Sequence, residues 1–110
     1  MTEIVPFVSR QQLALLRVVK ATPLMRAYHI SIEARRLLGH KDPKKTAGNG
    51  FNSIKGLLAR GMVTFERGRI LGSSKEAMLY SITPLGRQVL EANKNVELRK
   101  EDNDHTDSVL

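Results

Sequence analysis

The sequence predicts a small, mainly helical α+β domain: three helices, a two-stranded hairpin and a C-terminal helix. Three observations predict it. Apolar residues recur at helical spacing in "RQQLALLRVVKA" and in "FNSIKGLLARG". Two stretches of period two, "MVTFER" and "EAMLYSIT", flank the turn-rich segment "GRILGSSK". The pair Thr83-Pro84 follows the second stretch directly, so that strand passes at once into helix. With 110 residues the chain holds one core. It is expected to divide into an N-terminal arm (1–8), the folded domain (9–99) and a disordered acidic tail (100–110).

Each element has its own local cause. Ser9 can cap a helix in which Leu13, Leu16 and Val19 or Lys20 recur, with Leu15 and Val18 widening the stripe. Thr22-Pro23 ends that helix, and Pro23 is tolerated in the first turn of another. "LMRAYH" fits either a helical turn or a loop. Ser31 precedes a second helix carrying Ile32, Leu37 and Leu38, and Gly39 is suited to stop it. "HKDPKKTAGNG" is a loop by composition, and a long one. In the third helix Phe51, Ile54, Leu57 and Leu58 fall on one side, and Gly61 closes it. The strands set Val63 and Phe65 against Met62 and Thr64, and Met78, Tyr80 and Ile82 on one face. The last helix carries Leu85, Val89, Ala92 and Val96 at spacings of four, three and four.

Charge is the strongest bulk property. The chain has 18 Lys and Arg against 11 Asp and Glu, a net charge of +7. Within residues 35–75 ten basic residues face two acids, and the last ten residues hold four acids and no Lys or Arg. A concentrated basic block suits a polyanionic partner. The absence of cysteine removes disulfides, cysteine zinc sites and thiol catalysis, and fits a cytoplasmic protein. No apolar run is long enough for a membrane span, and no secretory signal is evident at the N-terminus, so a membrane partner is not expected. His29, His40 and His105 lack metal-ligand spacing. With no nucleophile–base pair, paired acids or phosphate-cradling glycine loop, the sequence predicts neither an enzyme nor a cofactor.

Two phrases carry a resemblance. "LLARGMV" (Leu57 to Val63) joins the third helix to the hairpin, and "YSITPLGRQVL" (Tyr80 to Leu90) joins the hairpin to the last helix. Together they resemble the winged helix-turn-helix domain of MarR- and PadR-type bacterial transcriptional regulators, over about residues 9 to 92. The stretch "GHKDPKKTAGNG" is longer and richer in glycine than the compact turn of those families. The long flanking helices that MarR-type proteins use to dimerise and to sense small molecules have no counterpart here.

The resemblance makes the third helix a recognition helix. Its expected front holds Asn49, Asn52, Ser53, Gly56 and Arg60, with Lys55 at the flank. Asn and Ser are suited to base edges in the major groove, and Gly56 would let the backbone approach DNA. Lys41, Lys44, Lys45 and Thr46 suit phosphate contacts. Arg67, Arg69, Ser73, Ser74 and Lys75 stand at or near the wing tip, where arginine suits a narrow minor groove. Leu85, Val89, Ala92 and Val96 are expected to face either the core or a twin.

The expected function is sequence-specific binding of double-stranded DNA by a small transcriptional regulator, a repressor acting as a homodimer in the cytoplasm at the nucleoid. Two other readings remain open at this point. One is a plasmid-partition or phage replication protein that coats repeated sites. The other is a winged-helix module docking on a host protein through Ile70 and Leu71 at the wing or through the acidic tail.

Overall fold

Ser9 opens the first helix with a reciprocal cap. Its hydroxyl accepts from the Gln12 N–H at 3.1 Å, and the Gln12 side chain accepts from the Ser9 N–H at 3.2 Å. The computed structural model of the chain describes residues 6–44, 50–69, 72 and 75–98. In them Arg10–Ala21 form α1, Ala27–Leu37 α2, Phe51–Ala59 α3, Val63–Arg69 β1, Glu76–Ile82 β2 and Pro84–Ala92 α4. The fold is therefore α+β and mainly helical, with four helices and one antiparallel hairpin among the described residues.

α1 is the central element and packs against α2, α3, α4 and β2. Leu13, Ala14, Leu15, Leu16, Val18 and Val19 are all buried, a stripe too wide for a helix lying on a surface. Val8, assigned to the arm by its sequence, also joins this core. Beyond Thr22 the chain does not start a new helix at Pro23. It turns onto the sheet: the Leu24 N–H donates to the Tyr80 carbonyl at 2.7 Å and the Tyr80 N–H to the Met25 carbonyl at 3.0 Å. Met25 thereby pairs with β2 along the edge that β1 leaves open. Leu24 takes a left-handed conformation (φ 64°) to enter this pairing, at a cost of roughly 1 kcal/mol.

α2 starts one turn before the beginning expected from Ser31. Arg26 is its cap residue, extended and without a side-chain cap bond, so no Ser, Thr, Asp or Asn marks the start. Ile30 and Ala34, one turn apart, face the core, and Ser31 lies inside the helix, buried, its hydroxyl 3.5 Å from that of Ser53 on α3. Gly50 precedes α3 with φ 83° and is buried against the first turn of α2. Ile54 and Leu57 are the fully buried residues of α3, each contributing about 1.5–3 kcal/mol of burial.

The hairpin pairs Val63 with Ile82, Phe65 with Tyr80, Arg67 with Met78 and Arg69 with Glu76. One face therefore begins as core (Val63, Tyr80, Ile82) and ends in solvent (Arg67, Arg69). Burial holds the Tyr80 phenol above its ordinary pKa.

The hairpin joins α4 through one residue, Thr83. The Thr83 hydroxyl donates to the Gly61 carbonyl at 2.6 Å and accepts from the Gly86 N–H at 3.2 Å, so one side chain both caps α4 and fixes it to the end of α3. α4 is shorter than its apolar spacing suggests. It ends at Asn93, whose side-chain amide donates to the Val89 carbonyl at 2.8 Å. The following segment is held along α1: Arg17 donates to the carbonyls of Asn93 (3.1 Å) and Val96 (2.8 Å), Arg10 to that of Glu97, and Leu98 is buried. Val96 is thus not on a helix. Lys94 pairs with Glu91 at 3.0 Å and holds that carboxyl below its ordinary range, though both side chains are exposed and the pair contributes little. No helix among the described residues is long and apolar enough to cross a membrane.

Candidate nucleic-acid interface

The outward side of α3 is set by what its inward side buries. With Ile54 and Leu57 at the centre of the buried side, 100° per residue carries Asn52, Lys55 and Ala59 to the opposite side, and all three are exposed. This turns the front of the helix relative to the one read from the sequence. Phe51 was counted with the apolar back, but it is 39% exposed and stands at the rim of the helix's first turn. Removing it from the back moves the front toward Lys55.

The expected front residues therefore divide. Asn52 and Lys55 face solvent. Ser53 and Gly56 are half-buried, Ser53 toward Ser31 of α2 and Gly56 beside Gln12 of α1. Arg60 is exposed and is also bonded within the chain. Its guanidinium donates to the Gln12 side chain at 3.1 Å and to the Phe7 carbonyl at 2.6 Å, which ties the end of α3 to the start of α1. Asn49, Lys45 and Thr46 lie outside the described residues.

Two grooves border α3. One, about 530 Å³, is lined by Ser9, Gln11 and Gln12 of the α1 start and by Asn52, Ser53, Lys55 and Gly56. The other, about 700 Å³, runs between α3 and the hairpin and holds Arg26, Tyr28, Phe51, Glu76, Met78 and Tyr80. α3 thus stands between the start of α1 and the hairpin. The lysine-bearing loop leaves α2 beside that same start, where His40 shares a surface with Arg10 and Gln11. Lys41 and Lys44 are exposed on it. Arg67 and Arg69 are exposed on β1, and Lys75 is exposed at the entry to β2. Ser73, Ser74, Ile70 and Leu71 lie outside the described residues, as do the tail from residue 100 and His105. Among the described residues no group of three or more His, Cys, Asp or Glu could hold a metal ion.

The four α4-region residues offered to core or twin also divide. Val89 is fully buried in its own domain, and Leu85 is half-buried and packs against that core. Ala92 and Val96 are exposed.

Gly56 has room for a side chain. A Cβ built there meets only Gln12 Nε2, at 3.5 Å. Gly56→Ala is therefore expected to raise the unfolding free energy by about 0.5–1 kcal/mol, because alanine loses less backbone entropy in a helix. Denaturant unfolding measures it, and a lowered midpoint would mean that Gln12 cannot adjust.

The sequence reading missed the aromatic wall of the second groove. Tyr28, Phe51 and Phe65 are 36%, 39% and 40% exposed. A signal was present for Phe65: along its face the order Val63, Phe65, Arg67, Arg69 passes from apolar to basic, which marks a strand leaving the core.

A scan against protein-family models finds none that matches this chain, and a search of the curated proteins finds no matching relative.

Proposed function

We propose that the chain is a winged helix-turn-helix protein that binds double-stranded DNA, with α3 in the major groove and the hairpin as its wing. The observation that carries this reading is the solvent-facing side of α3, Asn52 and Lys55 over a buried back of Ile54 and Leu57, flanked by exposed cations on both neighbouring segments. Lys41 and Lys44 stand on the loop, Arg67 and Arg69 on the hairpin. The Met25–Tyr80 pairing supports the same architecture, because it ties the α1–α2 connection to the sheet that carries the wing. Asn52 is suited to an adenine edge, and the cations to phosphates. A single helix of this length reaches few base pairs, so a homodimeric repressor reading two half-sites is the form we favour. Its twin contact would use Ala92 and Val96.

Fluorescence anisotropy with duplex DNA over a salt series tests the proposal. Wild-type affinity should fall steeply with salt, log K changing by about 0.9 per phosphate contact for each unit of log salt. Lys55→Ala and Arg67→Ala should each flatten that slope by about one contact and weaken all sequences alike. Asn52→Ala should instead weaken the preferred site by about 1–3 kcal/mol and narrow its margin over other sequences. Affinity independent of salt would refute the reading, as would Asn52→Ala and Arg69→Ala leaving DNA affinity unchanged while a protein partner is lost.

A further inference from the structure

Four of the chain's five aromatic residues border one groove. Tyr28, Phe51 and Tyr80 line it, and Phe65 adjoins it, its ring centroid 6.0 Å from that of Tyr80. Of these, Tyr28, Phe51 and Phe65 keep more than a third of their surface in water. Met78 adds a soft apolar floor. The surroundings are cationic. Arg26 lines the groove, and Arg67 and Arg69 share the hairpin face with Phe65; Glu76, opposite Arg69, is the carboxylate of the lining.

We propose that this groove takes an unpaired nucleotide, so that the protein engages DNA where a single strand leaves a duplex. The inference rests on the nucleic-acid reading above and deepens it by naming a second element of the ligand. A base inside a duplex hides both its faces in the stack, and the exposed rings of Tyr28 and Phe65 find no counterpart there. An unpaired base presents its π-face, which stacks on an aromatic ring whatever the sequence, while its phosphates meet the rim cations. Arg26, Arg67 and Arg69 outnumber Glu76, the acid opposite Arg69, so charge complementarity favours a nucleotide over an uncharged apolar ligand or an apolar protein segment. The groove, about 700 Å³ and open, has room for a base and its sugar.

The test compares a blunt duplex with the same duplex carrying a short oligo-thymidine overhang, using the full chain. The overhang is expected to raise affinity about tenfold. Tyr28→Leu and Phe65→Leu keep apolar bulk and remove the ring, so each should abolish the gain while leaving the blunt duplex bound within about twofold of wild type, with the melting temperature retained. A second readout is internal. The chain has no tryptophan, and both tyrosines line the groove, so tyrosine emission should be quenched by the tailed duplex and not by the blunt one. Equal binding of tailed and blunt duplex overturns the proposal, and so does equal loss on both from the two variants. If neither DNA binds, the function proposed above fails with it. If the overhang strand binds alone and the blunt duplex does not, the groove stands and the duplex reading falls.

Discussion

Gly86→Ala is expected to destabilise the fold by about 3 kcal/mol, near the upper end for an overpacked core. A Cβ at this position falls 2.7 Å from Ile82 Cγ1 and closer still to the Met62 carbonyl oxygen. The side chain of Ile82 can swing aside, but the carbonyl cannot. It is held in place by the Thr83 N–H, which donates to it at 3.1 Å, and by the turn that ends α3. Relief therefore requires α4 to lift from the base of the hairpin, which exposes Val89 and Leu90. This explains the spacing in "TPLG" physically: Thr83 caps the helix and holds the end of α3, and three residues later the absence of a side chain lets α4 approach the same segment. Thermal or denaturant unfolding of the variant measures the loss. A change below about 1 kcal/mol would mean that α4 is free to shift.

Gly50→Ala is expected to cost at least as much, again about 3 kcal/mol, through two additive causes. Its φ of 83° strains any L side chain, and a Cβ there falls 2.7 Å from the Tyr28 nitrogen and closer to the Ala27 carbonyl oxygen. Both obstacles are backbone atoms of the first turn of α2, so neither side can rotate away. The loss should be accompanied by weaker DNA binding in the surviving folded fraction, because Gly50 sets where α3 begins against α2. Unfolding midpoints together with anisotropy on the same samples separate the two effects. Gly50→Ala with wild-type stability would contradict the close approach of α2 and α3.

The elements were legible in the sequence wherever a local signal marked them. Ser9, Thr83 and Pro84, Gly61 and the alternating strands each declare a boundary through their own backbone chemistry. The start of α2 was not legible, because Arg26 caps through an extended backbone that pairing with Tyr80 imposes, and no polar cap residue precedes Ala27. The end of α4 was misread for a similar reason. Apolar spacing continued to Val96, while the chain turns at Asn93 and Arg17 and Arg10 of α1 bond the carbonyls that follow.

The candidate site was legible in part. Asn52 and Lys55 on α3, and Arg67 and Arg69 on the hairpin, were identified from their position in the element order, and they are exposed. The intrachain bonds of Arg60 were not legible, since its partners, Gln12 and Phe7, lie about fifty residues away along the chain. The aromatic groove depends on the same kind of distant meeting. Tyr28, Phe51 and Tyr80 come from three elements, and nothing local marks them as neighbours.

The central claim is that the outward side of α3 and the neighbouring hairpin meet DNA. Amide chemical-shift mapping of the labelled chain, titrated with duplex DNA, addresses it most directly. The account predicts the largest changes at Asn52, Lys55, Ala59, Arg67 and Arg69, with Ala92 and the α4 surface unmoved by DNA itself. Changes concentrated on α4 and the segment after it, with α3 silent, would contradict it.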